Sequence, residues 1–287
     1  MPGSIRASGM GELGRVAARQ PLGAVGAVIV LALVATALLA PELAPHGAKD
    51  TGFAPYVPPG REFPLGTDHL GRDLLSRVIW GARLSLYVGL TSVLFGITLG
   101  GLWGVVTAYF GGVADTASQR VVDTLMALPP IILALSLMAA LGQSVTNVIV
   151  ALTILLTPTA SRTLRSLALS IRESPYVEAA RATGCSHWRV IARHVLPNTL
   201  ATYIVLVTVN VSYAIVVEAS LSFLGLGAPP DEPSWGAMLT AGTQAIERAP
   251  WMFLFPGLAI SVTVFGLNLL GDAIRDLTDP RLRGGLG

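Results

Sequence analysis

Glu178-Ala179-Ala180-Arg181-Ala182-Thr183-Gly184, closed by His194-Val195-Leu196-Pro197-Asn198, is the stretch on which the reading of this chain turns. It is polar, basic and rich in helix formers, yet it lies between long segments without one charged side chain. Of the 287 residues, 52% are hydrophobic and only 13% charged, with mean hydropathy +0.65. A soluble domain carries about twice that charge. The composition predicts an all-α integral membrane protein, and the polar island is then a structured loop outside the bilayer.

Working outward from the loop, five uncharged regions reach the roughly 20 residues of a bilayer crossing. They cover 20–41, 84–114, 124–161, 194–217 and 249–271. The third is long enough for two spans, divided at the turn-like Leu141-Gly142-Gln143-Ser144. Six transmembrane helices are predicted, over about 22–40, 84–109, 122–141, 146–164, 199–222 and 252–272. Arg15 and Arg19 flank the first as they would a signal peptide, but its apolar core exceeds the usual 7–15 or so residues, which favours a retained anchor.

Thirteen of the 19 Lys and Arg residues fall on the side that carries both termini and the Glu178 loop. The positive-inside bias makes that side cytoplasmic. The layout expected is a cytoplasmic segment 1–21, a first helix 22–40, an outer loop 41–83, a five-helix core 84–272 enclosing the loop 165–198, and a cytoplasmic tail 273–287. The Pro- and Gly-rich 41–63 is expected to be irregular. From Thr67 on, Leu70, Leu74, Leu75, Val78 and Ile79 share a helical face, with Arg72, Asp73, Ser76 and Arg77 elsewhere. That is either an amphipathic surface segment or an extension of the second span.

Within the loop, Ser174 can cap a helix with Pro175 at its first position, and Gly184 suits the left-handed residue past its end. Ser186 can cap a second helix, which Pro197 would stop, leaving Asn198 or Thr199 to cap the fifth span. Ala179, Ala180 and Ala182 keep the first helix slim, a shape that suits insertion into a groove on another protein. An ordinary helical loop is the alternative.

Glu178-Ala179-Ala180, Gly184 and Leu196-Pro197 resemble the EAA motif of ABC importer permeases. His194-Val195-Leu196-Pro197-Asn198 points to the peptide-transporter branch. Pro64-Leu65-Gly66-Thr67-Asp68, Gly71-Arg72-Asp73, Ser76-Arg77, Gly81-Ala82-Arg83, Glu218-Ala219, Leu221-Ser222-Phe223-Leu224-Gly225-Leu226-Gly227, Trp235-Gly236 and Asp279-Pro280-Arg281 add matches in the expected order. They are similar to the second permease subunit of dipeptide, oligopeptide and nickel importers. The resemblance implies a type I ABC importer permease fold in a bacterial plasma membrane. It also implies a coupling helix, with Glu178, Ala179, Ala180, Arg181 and Gly184 docking on a cytoplasmic ABC ATPase subunit. The partners implied are that ATPase, a second related permease and an extracytoplasmic substrate-binding protein, with short peptides as substrate and nickel chelates or glutathione as alternatives.

No G-x-x-x-x-G-K-[ST] stretch occurs, so no P-loop is present to hold nucleotide phosphates. No zinc-protease, serine-hydrolase or dinucleotide motif occurs either. The one cysteine, Cys185, forms no intrachain disulfide, and no cofactor is expected. A net charge of +2 gives no reason to expect a nucleic-acid partner. The rival reading is a proton-coupled carrier using Glu218, because carboxylates at membrane depth are expensive and usually functional. Glu218 lies about 19 residues past the inner end of its span, roughly 29 Å along the helix. That position favours a structural or outer-gate role, paired with an arginine such as Arg83. Pro129-Pro130 and Pro158 are expected to kink the third and fourth spans, and Gly96, Gly100, Gly101 and Gly104 to let helices approach closely.

Overall fold

The long helix α3, Leu74–Phe110, is the spine on which the other elements pack. In this computed structural model, residues 20–229 and 231–278 are described. Arg6, Arg15 and Arg19 in the segment 1–21 lie outside them, as do Asp279-Pro280-Arg281 and Arg283. In chain order the helices are α1 Pro21–Leu38, α2 Ala40–Leu43, α3, α4 Gly112–Met126, α5 Pro130–Leu141 and α6 Val145–Arg172. The second half holds α7 Pro175–Ala182, α8 His187–Val190, α9 Leu196–Phe223, α10 Trp235–Gln244 and α11 Trp251–Thr278. Among the described residues there is no strand, only an isolated bridge between Thr67 and Asp73.

Among the described residues five helices are long and apolar enough to cross a membrane, or six spans if the bent pair α4 and α5 counts as one. At 1.5 Å per residue α3 runs about 55 Å, well beyond a hydrocarbon core of about 30 Å. It is thus longer than one crossing needs, and the extension reading holds for 74–79 only, since 67–73 are turns ahead of the helix. The amphipathic expectation fails on the polar side: Arg72, Asp73, Ser76 and Arg77 are buried along with Leu74, while Leu75, Val78 and Ile79 are half-buried and only Leu70 is exposed. Those polar groups turn inward because the irregular 41–63 folds over them. The Asp73 carboxylate caps α3 by accepting from the Leu75 and Ser76 amides, and His46 N–H donates to Ser76 Oγ at 3.0 Å.

The most extensive pairing joins α3 to α6. A Cβ added at Gly96 would sit 3.1 Å from Thr153 O, one at Gly100 2.3 Å from Thr157 O, and one at Gly104 2.2 Å from Ser161 O. The two backbones touch along three turns because nothing larger than hydrogen separates them. α6 continues unbroken through Pro158.

The crossing expected at 122–141 is not one helix. Its two halves, α4 and α5, meet at a 90° bend at Pro129-Pro130. Pro at two successive positions removes two backbone donors and excludes the α conformation at the residue before. A second departure lies at 191–195, where a π-helical turn joins α8 to α9. Pro197 does not stop the helix, because the register change (Leu196 N–H bonds to Ile191 O) lets the chain run on into α9. Asn198 and Thr199 accordingly bond back to His194 O and Leu196 O instead of capping.

The interior falls into three apolar clusters. One fills the space between α3, α5, α6 and α9. A second packs Val105 and Leu164 against Val177, Val190 and Val195 at the α7 end. A third gathers Leu74, Ala82, Trp235 and Met238 at the far end. Outward, Leu22, Val28 and Leu31 of α1, Leu90, Leu94 and Phe95 of α3, and Leu254, Leu258 and Phe265 of α11 are exposed. An apolar surface of that extent suits lipid as its solvent.

Candidate functional site

α7 is an eight-residue helix held on the protein by two side chains. Val177 and Ala180, three residues apart, are buried in the cluster formed by α3, α6 and the π turn. Glu178, Ala179, Arg181, Ala182, Thr183 and Gly184 face outward. Of the five residues expected to form the docking face, Ala180 is thus turned inward, where a small side chain lets the helix sit close to its support. Ser174 and Pro175 start the helix as the sequence predicts, although the Ser174 hydroxyl donates to Ile171 O and accepts no hydrogen bond from the α7 amides.

The helix ends in a double bond pattern. Gly184 N–H donates to Arg181 O at 2.9 Å and Cys185 N–H to Ala180 O at 3.1 Å, the Schellman arrangement that needs a left-handed residue between them. Gly184 supplies it with φ +83°, and a Cβ built there would meet nothing within 4 Å. The exposed cap is therefore free to be covered by another surface.

Arg181 carries its guanidinium over the Tyr109 ring, 4.9 Å from its centre, a cation–π contact between α7 and the end of α3. The Tyr109 hydroxyl is 3.1 Å from His187 Nδ1, and Trp188 packs edge-on to Phe110 with both rings exposed. These aromatic supports were not singled out in the sequence. The placement of Tyr109-Phe110 at the end of an apolar run was the available signal. Behind them, Arg165 makes a two-pronged pair with Asp115, both bonds 2.7 Å, fixing α4 to α6.

At the far end, Glu218 and Arg83 do not meet. Glu218 is 1% exposed, and its Oε1 accepts hydrogen bonds of 2.9 Å from both Ser222 and Ser234. Arg83 lies on the exposed face of α3, its guanidinium 5.6 Å from the Trp80 ring centre. The expected pairing fails because α3 turns residue 83 outward and residue 85 inward. Glu218 instead ties α9 to the segment leading into α10. Around it the family-like residues lock together: Trp235 Nε1 donates to Val78 O at 3.0 Å, and Cβ atoms added at Gly81 and Gly236 would lie 2.4 Å from Trp235 Nε1 and 2.2 Å from Ala219 O.

The Pro64–Asp73 stretch forms a second knot. Thr67 Oγ1 donates to Ala54 O and accepts from Val57 N–H, both at 2.8 Å. Arg72 Nε donates to Asp68 at 2.6 Å. Gly71 has φ +70°, and a Cβ there would fall 2.0 Å from Phe53 O. Among the described residues no cluster of His, Cys, Asp and Glu is suited to a metal.

Residues 96–284 match the family described as binding-protein-dependent transport system inner membrane component. A Brucella suis protein carrying a peptide transport system permease name is 44% identical over 260 residues, 90% of this chain and 88% of its own. The glutathione transport system permease protein GsiD of Pectobacterium atrosepticum is 39% identical over 269 residues, covering 92% and 89%. Among solved structures, an inward-facing form of the MetNI methionine ABC transporter superposes with a TM-score of 0.58 over 72% of this chain and 98% of that one, at 20% identity, which supports the type I importer permease fold. The chain belongs to the binding-protein-dependent inner membrane components, the permease subunits of ABC importers.

Proposed function

We propose that this permease forms half of an ATP-driven pathway for short peptides delivered by an extracytoplasmic binding protein, with a second related permease forming the other half. α7 is the coupling helix. The α7 end faces the cytoplasm with both termini, so the loop 41–73 and α10 face outward, and the layout 1–21, 22–40, 41–83, 84–272 and 273–287 follows. Closure of partner ATPase subunits on nucleotide pushes α7, and the push passes through Val177 and Ala180 into α3, α6 and α9. This chain hydrolyses no ATP itself. Glu218 serves as an internal clamp at the outer end and Arg83 as an outer-surface cation. The relatives named for peptide and glutathione transport support the substrate class.

The observation that carries this reading is the α7 helix itself: pinned from below by two buried side chains, with a small-residue face and a glycine cap left uncovered. A pull-down of the tagged chain from its native membranes tests it. Wild type is expected to bring down an ATPase and a second permease. Gly184→Arg, which adds both bulk and backbone strain, is expected to lose most of the ATPase and to abolish ATP-driven peptide uptake. Wild-type recovery without any ATPase, or undiminished uptake by the variant, refutes it.

A further inference from the structure

At the far end a cavity of about 290 Å³ opens between the knot before α3, the end of α9, and α10. Arg72, Arg77, Gln143, Asp231, Thr240 and Gln244 line it. The volume is near the lower bound for small-molecule pockets, about 300 Å³.

Two cations, Arg72 and Arg77, face two carboxylates, Asp68 and Asp231, but the hydrogen bonds among them are unevenly shared. The Asp68 carboxylate accepts three hydrogen bonds, Oδ1 from the Leu70 amide at 2.8 Å and the Arg72 amide at 3.0 Å, and Oδ2 from Arg72 Nε at 2.6 Å, and Oδ2 also forms an ion pair with Arg77. Arg77 is 2% exposed. Its Nη1 donates to Ala48 O at 2.8 Å, but its Nε stands 3.8 Å from Asp68 and has no hydrogen-bond partner among the described residues. No ion pair among them includes Asp231. His69, also on the wall, is held below its ordinary pKa by burial, then by Arg72 and Arg77, against the opposing pull of Asp68, so it adds no charge at neutral pH.

A buried guanidinium with a spare donor is costly unless an anion shares it. Its planar fork matches a carboxylate. On the same cavity wall Thr240 Oγ1 donates to Phe223 O at 2.7 Å and Gln143 Nε2 to Gly225 O, so their oxygens, with the exposed Gln244, are what can meet the amide and amine groups that adjoin a carboxylate in a peptide.

We propose that this cavity binds the free carboxylate of a small transported solute, with Arg77 as the recognising cation and Gln143, Thr240 and Gln244 bonding the neighbouring polar groups. The inference rests on the importer reading above, since the solute is its cargo. Arg77 lines the cavity while only 2% exposed, which favours a small ligand that enters whole over a side chain presented by a docked protein.

The test is calorimetric titration of the purified full-length chain with alanyl-alanine, its C-terminal amide and its N-acetyl form. The acid and the N-acetyl form are expected to bind, with the amide at least tenfold weaker. Gln244→Ala, on an exposed side chain that leaves the knot intact, is expected to weaken the acid several-fold. Arg77→Gln, scored only if its helical circular dichroism is retained, is expected to erase the acid-over-amide preference. Equal affinity for acid and amide overturns the proposal, as does the absence of any binding by folded protein. So does a result in which only docking of the co-purified binding protein depends on Arg77. ATP-driven uptake by the whole complex is read separately, so uptake that persists without a carboxylate preference sinks this site and leaves the importer reading standing.

Discussion

Gly184 and Gly71 hold nearly the same backbone conformation, φ +83° and +70°, at opposite ends of the molecule. Their surroundings are opposite. Around Gly184 a Cβ would meet nothing within 4 Å, and around Gly71 it would strike Phe53 O at 2.0 Å. One end uses glycine to finish a helix whose outer face stays uncovered, and the other uses it to close a knot on itself. The α7 end leaves a helix face and its cap uncovered, while the loop before α3 is packed around Gly71.

The largest effect expected from breaking this contrast is at Gly71. Gly71→Ala carries the left-handed penalty of about 1–2 kcal/mol and also drives backbone 53 out of place. Unfolding in detergent, followed by tryptophan fluorescence, should show a melting temperature lowered by well over twice the drop for Gly184→Ala. Equal drops for the two variants would mean that the far-end knot yields as easily as the open cap.

Glu218 sharpens the same comparison from inside. Glu218→Ala leaves the Ser222 and Ser234 hydroxyls buried without their acceptor, and each buried unsatisfied group costs about 1–3 kcal/mol. Glu218→Gln keeps an acceptor oxygen of the same reach and should lose far less. The melting temperatures of the two variants, with peptide uptake at pH 6 and pH 8, separate a clamp from a proton carrier. A clamp gives a stable, transport-competent Gln variant at both pH values, whereas a carrier gives a stable but inactive one.

The sequence revealed the helices more readily than the breaks between them. Charge-free runs located five of the six expected crossings as single helices because lipid excludes charge, and Ser174, Pro175 and Gly184 marked both ends of α7 because caps are local chemistry. The place of the bend at Pro129-Pro130 was legible but its 90° size was not, and neither was the π turn before Pro197, since a proline reports a missing donor but not whether the chain breaks or changes register around it. Glu218 drew attention correctly, but its partners did not follow from spacing. Whether residue 83 or residue 85 faces α9 depends on the rotation of α3, and that is set by the glycine contacts with α6. The inward turn of Ala180 was hidden for the same reason, because three alanines in one turn look alike until a neighbour selects one.

The smallest stability effect should accompany a large functional one at Ala182. This residue is exposed on α7, lies outside the anchoring pair Val177 and Ala180, and precedes the cap without taking a left-handed conformation. Ala182→Arg adds bulk to the outer face while keeping the Gly184 and Cys185 hydrogen bonds, so the melting temperature should stay within about 1 °C of wild type, a surface change of under roughly 0.5 kcal/mol. If the face docks in a groove, ATPase recovered in the pull-down should fall several-fold, because a long charged side chain would have to be buried against the partner. Gly184→Arg cannot make this distinction alone, since it strains the cap as well as filling the space beside it. Loss of ATPase from Gly184→Arg but not from Ala182→Arg would assign the effect to cap geometry, and the contact surface would then lie on the Glu178 side of the helix.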